Sequence, residues 1–236
     1  MSGGIFSYAL LAALATALLV AAFTDLRRRE IDNTLNGAIA LAAPLWWLSM
    51  GFTWMDVAFQ LGLAAITFVF ACVLFVMRQM GGGDVKLLTA LALWFSPLSF
   101  LQVIVLMAVI GGGASVAMAA FNMKRVPGET VRDALSLVVA LVWVWGACAV
   151  VFSLAMRKPL IDGETMAAVT SVVPQLWTLA LAALGLIVIF TLGFFHIVRR
   201  QKSRLPIPYG IAISAAGLWV LGEQTLSAAR LAAHSG

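Results

Sequence analysis

Charge is scarce in this chain. Of 236 residues, 11% are Asp, Glu, Lys or Arg and 63% are apolar, with a mean hydropathy of +1.03. So few charged groups cannot cover a water-facing surface, which excludes a free-standing soluble domain. Cysteine is scarcer still: Cys72 and Cys148 both lie in apolar runs without CxxC spacing, which excludes a disulfide framework and a cysteine-based zinc site. HExxH and GxSxG are both missing, His196 and His234 stand alone, and the four lysines fall near segment ends. Zinc-protease and serine-nucleophile chemistry therefore have no visible residues to run on. The formal charge of +5 comes from clusters at the ends of apolar runs, where membrane anchoring and topology account for it and nucleic-acid binding does not.

Long apolar runs are what the chain does have. Runs over Ile5–Phe23, Leu35–Met50, Val57–Met77, Val85–Phe95, Leu98–Asn122, Ala134–Met156, Val173–Val198 and Tyr209–Ala228 match a hydrocarbon core of about 30 Å, with the fourth too short to cross alone. The expected fold is all-α, a polytopic transmembrane helix bundle of about eight segments with no soluble domain. Pro97 ends the fourth run, and the Gly111–Gly113 triplet is an alternative turn. With the N-terminus outside, the internal loops collect every Lys and Arg except Arg157, Lys158 and Arg230, 12 of 15, and this asymmetry fixes the orientation. Trp46, Trp47, Trp54, Trp94 and Trp177 then fall near outer ends, as interfacial rings do.

No acid lies at the centre of a run. Asp56, Asp162 and Glu164 read as outside-loop residues, Glu129 and Asp133 as inside-loop residues, and Glu223 as the outer end of the last run, all solvated. Asp25 and Asp84 differ, because this topology puts both at the cytoplasmic level. Asp84 opens the fourth helix, where an anion is favoured; Asp25 closes the first, where the macrodipole opposes it unless Arg27–Arg29 compensate. Gly81, Gly82 and Gly83 precede Asp84. Each costs a helix about 1 kcal/mol relative to alanine, and in return the backbone gains freedom and allows close approach, for instance by an extended peptide.

The stretches "TDLRRREIDN" (Thr24–Asn33) and "GGGDVKLL" (Gly81–Leu88) resemble the two signatures of type IV prepilin peptidases, the bacterial branch of the GxGD aspartic membrane proteases. A third, "LPIPYGIAISAAG" (Leu205–Gly217), resembles the closing stretch of the short members that serve tight-adherence pili. The resemblance implies a peptidase in the bacterial inner membrane with Asp25 and Asp84 catalytic. It would cut the basic leader from prepilin-like precursors at the cytoplasmic face, without metal or cofactor. The expected partners are those precursor peptides and membrane lipids, not nucleic acid. Gly81–Gly83 would lie against the substrate backbone, and Glu30 and Asp32 would meet the basic leader.

Two departures stand out. Asp32 occupies a position where the family usually has proline, and residues 123–204 form an insertion with two extra spans between a peptidase core (1–122) and a final core helix (205–236). The methyltransferase-linked, CxxC-bearing domain of longer members is not seen, so peptidase activity alone is expected. An intramembrane-cleaving GxGD protease fits less well, since Asp25 follows threonine where presenilin-like enzymes have tyrosine. A transporter or scaffold is the reading from another class, but transport calls for an ionisable group near the midplane, and none occurs.

Overall fold

The computed structural model describes residues 4–124, 128–156, 158–159, 161–172, 176–202 and 209–234. The sequence assignments at Arg125, Arg157, Arg204, 173–175 and 205–208 lie outside the described residues. The described chain is helical, in the order α1 (Ile5–Arg28), α2 (Asn33–Met50), α3 (Trp54–Val76), α4 (Gly82–Ala92), α5 (Pro97–Phe121), α6 (Thr130–Met156), α7 (Gly163–Val172), α8 (Leu176–Arg199) and α9 (Tyr209–His234). Five of these are long and apolar enough to cross a membrane: α1, α3, α5, α6 and residues Ala180–Arg199 of α8. Their outward faces are mostly Leu, Val, Ile and Phe, a surface that suits lipid and not water.

The chain divides into two compact units: residues 1–108 with 208–236, and residues 109–207. In the first, α1 packs on α9 and α2, while α4 packs among α2, α3 and α9. Only 11 residues long, α4 ends where Pro97 forces a new start, so its last carbonyls have no partners within the helix. Side chains supply them: Gln60 Nε2 donates to Ala92 O and Phe95 O, both at 2.6 Å, and Trp47 Nε1 donates to Leu93 O at 2.8 Å. Trp94 Nε1 in turn donates to Ile39 O, and its ring stacks on Trp46. Trp46, Trp47 and Trp94 are therefore buried structural donors or stacking partners, not the interfacial rings expected from sequence; Trp54 does remain exposed.

In the second unit α6 packs on α8, with Gly193 so close to Val139 that a Cβ there would sit 2.9 Å from Cγ1. Gly111–Gly113 makes no turn: α5 runs straight through it, and Gly113 faces Ala147 across a gap that a Cβ would narrow to 3.1 Å. Several acids expected to be solvated have structural partners. Asp56 forms a capping box with Thr53 at the head of α3. Asp162 accepts from Thr165 N at 2.7 Å and so starts α7, a helix not foreseen. Asp133 is buried and bonds His196 at 2.9 Å, while Glu129 pairs with Arg200.

Candidate active site

Asp25 belongs to the last turn of α1, which runs to Arg28, beyond the apolar run that stops at Phe23. The helix closes on Arg29 in the left-handed conformation, φ 56°, whose N–H returns to Asp25 O at 2.9 Å. The side chain is only 5% exposed. A carboxylate at a helix C-terminus opposes the macrodipole, and the fold compensates from elsewhere in the chain. Ile211 N, in the first turn of α9, donates to Asp25 Oδ2 at 3.1 Å, so the N-terminal end of α9 faces the anion.

Only glycine permits that approach at residue 210. A Cβ there would lie 2.7 Å from Asp25 Oδ2 and 2.7 Å from Ile31 Cδ1. Ile31, buried in the link from α1 to α2, also presses its backbone and Cβ against Gly83, where a Cβ would come within 3.2 Å. Gly210, Ile31 and Gly83 thus form a close-packed bridge from Asp25 to the residue before Asp84. None of Gly81–Gly83 has positive φ. Their use is proximity: Gly81 precedes α4 as its N-cap, Gly82 and Gly83 are already helical, and the expected irregular turn is a helix start.

Asp84 sits in the first turn of α4, 7% exposed, and accepts from Gly81 N at 3.1 Å. α4 is not one of the long crossings. Burial, and then the charge of nearby Asp25, push the Asp84 carboxyl up from its ordinary 3.8 to about 6, against the opposing pull of the Gly81 N–H. The two acids are therefore electrostatic neighbours. Asn36 Nδ2 holds Gly83 O at 3.2 Å, and Lys86 Nζ donates to Asn33 Oδ1, tying α2 to the head of α4. Asn36 Oδ1 is buried without a partner among the described residues.

Residues 12–116, which hold both acids and the glycine triplet, match the family model of the type IV leader peptidase family. Over that stretch, 105 of 236 residues, the chain is similar to the type IV leader peptidase family. Hydrolysis of a peptide bond is that family's chemistry, and the likeness supports a leader-peptidase-like protease. No curated protein and no solved structure matches it.

The matched stretch ends before α6, so the α9 residues that grip Asp25 lie outside it. Sequence reading marked the third stretch as a resemblance but missed that Gly210 and Ile211 are part of the Asp25 site; the signal available was the glycine beside Tyr209 at a helix start. Glu30 and Asp32 are both exposed around the link between α1 and α2, and Asp32 is the α2 N-cap residue without a side-chain cap bond. Neither joins the buried pair. Among the described residues one further group has metal-ligand chemistry, Glu129, Asp133 and His196, but its acids already pair with Arg200 and His196.

Proposed function

We propose that this protein is a membrane aspartic endopeptidase that removes the basic leader from prepilin-like precursors at the cytoplasmic face of the bacterial inner membrane. The observation that carries the reading is the burial and electrostatic coupling of Asp25 and Asp84, one from each signature stretch. In this reading about eight membrane segments, with the N-terminus outside, bring both acids to the cytoplasmic level. Residues 1–122 and 205–236 form the peptidase core, and 123–204 is an insertion. The reading is confined to leader removal and includes no N-methylation.

Two neighbouring carboxyls hold one proton between them up to about pH 6, well above the ordinary carboxylate range, because ionising both costs several kcal/mol, about 4 at 4 Å in an effective dielectric near 20. The α9 amide at Asp25 favours the anion there, and the burial of Asp84 favours its acid form. Asp25 is then the base that takes a proton from the attacking water. Asp84 donates to the scissile carbonyl oxygen, and the proton taken by Asp25 later serves the leaving amine. The pair titrates as a unit, so these are roles within one coupled site.

A synthetic prepilin N-terminal segment, incubated with the protein in proteoliposomes, is expected to give a new N-terminus just after the basic leader by mass spectrometry. No product at any pH between 5 and 8 would refute leader peptidase activity. Gly210→Ala is expected to lower kcat at least a hundredfold, because the added Cβ would lie 2.7 Å from Asp25 Oδ2 and force the carboxyl out of place. Charge reversal at both Glu30 and Asp32 is expected to raise KM for a basic leader and leave kcat alone; unaltered kinetics would remove these two residues from the leader site. Gly81 and Gly82 present backbone beside Asp84 to an extended substrate.

A further inference from the structure

Between α5 and α6 in the second unit runs a groove with a cavity volume of about 920 Å³, lined mainly by apolar side chains, among them Ala117, Ala120, Ala140 and Val144. A second cavity of about 450 Å³ shares Ala117 and Val144 with it and continues along the same two helices as far as Val109. From Ala120 to Val109 the rise of α5 is roughly 17 Å, close to the depth of one leaflet of a core about 30 Å thick. Both helices are long apolar crossings. An acyl chain fits the shape and the chemistry of this seam.

One end of the groove is cationic. Lys124 and Lys202 line it there, and the backbone pairing holds them diagonally across from each other, Lys124 opposite Arg200 and Lys202 opposite Asn122. Lys124 N donates to Arg200 O at 2.8 Å, Lys202 N donates to Asn122 O at 3.1 Å, and Met123 and Gln201 form an isolated antiparallel bridge between them. The acids of the α6 N-terminal segment are already engaged: Glu129 with Arg200 and Arg132, Asp133 with His196. Among the described residues no carboxylate pairs with either lysine. Two exposed ammonium groups at the mouth of an apolar seam complement a phosphate headgroup above an acyl tail, the pattern of basic pockets between membrane helices that take anionic lipids.

We propose that the α5–α6 groove is a binding site for one anionic phospholipid, with its tail along Ala117 and Val144 and its phosphate between Lys124 and Lys202. A precursor with a basic leader is a poor occupant, since its charge has the same sign as the lysines. The site is independent of the peptidase reading, because none of its residues lies near Asp25 or Asp84 in sequence and its test does not read cleavage.

The intact chain, purified in a non-ionic detergent, is titrated with phosphatidylglycerol and with phosphatidylcholine of the same acyl chains, and bound lipid is counted by native mass spectrometry. Phosphatidylglycerol is expected to bind at least tenfold more tightly, each lysine contributing roughly fivefold. Lys124→Gln with Lys202→Gln should bring the two lipids to near parity, at unchanged elution volume, since both side chains are exposed. Ala117→Phe, which fills the seam and leaves the lysines, should weaken both lipids. Equal affinity in the wild type, or an undiminished preference in the double lysine variant, overturns the proposal. So does displacement of the lipid by glycerol 3-phosphate alone, which would make the groove irrelevant, or a persistent lipid-free dimer, which would make a second copy the occupant.

Discussion

Asp25→Asn and Asp84→Asn are each expected to abolish leader removal, by a factor of about a thousand or more, while the Asp84→Asn protein is expected to melt at a higher temperature than wild type at pH 7.5. The loss follows from the chemistry: an amide neither takes a proton from water nor gives one to a carbonyl oxygen, and each such transfer is worth about 10²- to 10⁴-fold. The gain follows from linkage. Asp84 titrates at about 6 in the fold and at an ordinary 3.8 outside it, so the folded state binds the proton more tightly. Stability from this group is complete below about pH 4 and is lost as pH rises through 6, where the folded protein must carry a buried charge. The shift corresponds to at most about 3 kcal/mol.

Asparagine is neutral at every pH and still accepts from Gly81 N, so Asp84→Asn escapes the penalty at pH 7.5 and shows no advantage at pH 4. Thermal unfolding in detergent at the two pH values measures this. An Asp84→Asn protein that is no more stable at pH 7.5 would mean the carboxyl is well solvated and the pair uncoupled. In the wild type the same titration predicts that kcat/KM falls on the alkaline side of about pH 6, as Asp84 loses the proton it donates. A site that stores instability in an unpaired buried acid gains activity at the expense of stability.

Gln60→Leu is expected to destabilise the first unit by about 3 kcal/mol, although residue 60 is remote in sequence from any candidate site residue. Gln60 is 6% exposed and donates twice, to Ala92 O and to Phe95 O. Leucine fills the space but leaves two buried carbonyls without donors, at about 1–3 kcal/mol each. Those carbonyls end α4, so the substitution loosens the far end of the helix whose head carries Asp84. A fall in thermal stability with a parallel fall in kcat is the expected outcome. An unaltered melting temperature would show that another donor replaces the amide.

Much of this was legible in the chain. The apolar runs declared helices because a segment facing lipid must satisfy its own backbone, and the two acid-bearing stretches announced themselves by being polar in an apolar sequence. The helix ends were less legible. A run of hydropathy stops at Phe23, but α1 continues through Asp25 to Arg28, because a neighbouring element supplies donors that local sequence cannot reveal. Glycine was ambiguous in the same way: Gly81–Gly83 and Gly111–Gly113 look like turns by propensity, yet both lie at or within helices, where Gly83 and Gly113 let Ile31 and Ala147 pack close. Asp133 and His196 looked solitary, 63 residues apart, until α6 and α8 packed together.

The sequence by itself determined that this is a helical membrane chain with two candidate acids, since composition and periodicity are local properties. Only the tertiary structure decided that these acids lie near each other, that α9 grips Asp25 through Ile211 and makes room for it at Gly210, and that Gln60 and Trp47 finish α4. The physical reason is that burial and charge coupling depend on separations across helices that are distant in the chain, and no window of residues carries those distances.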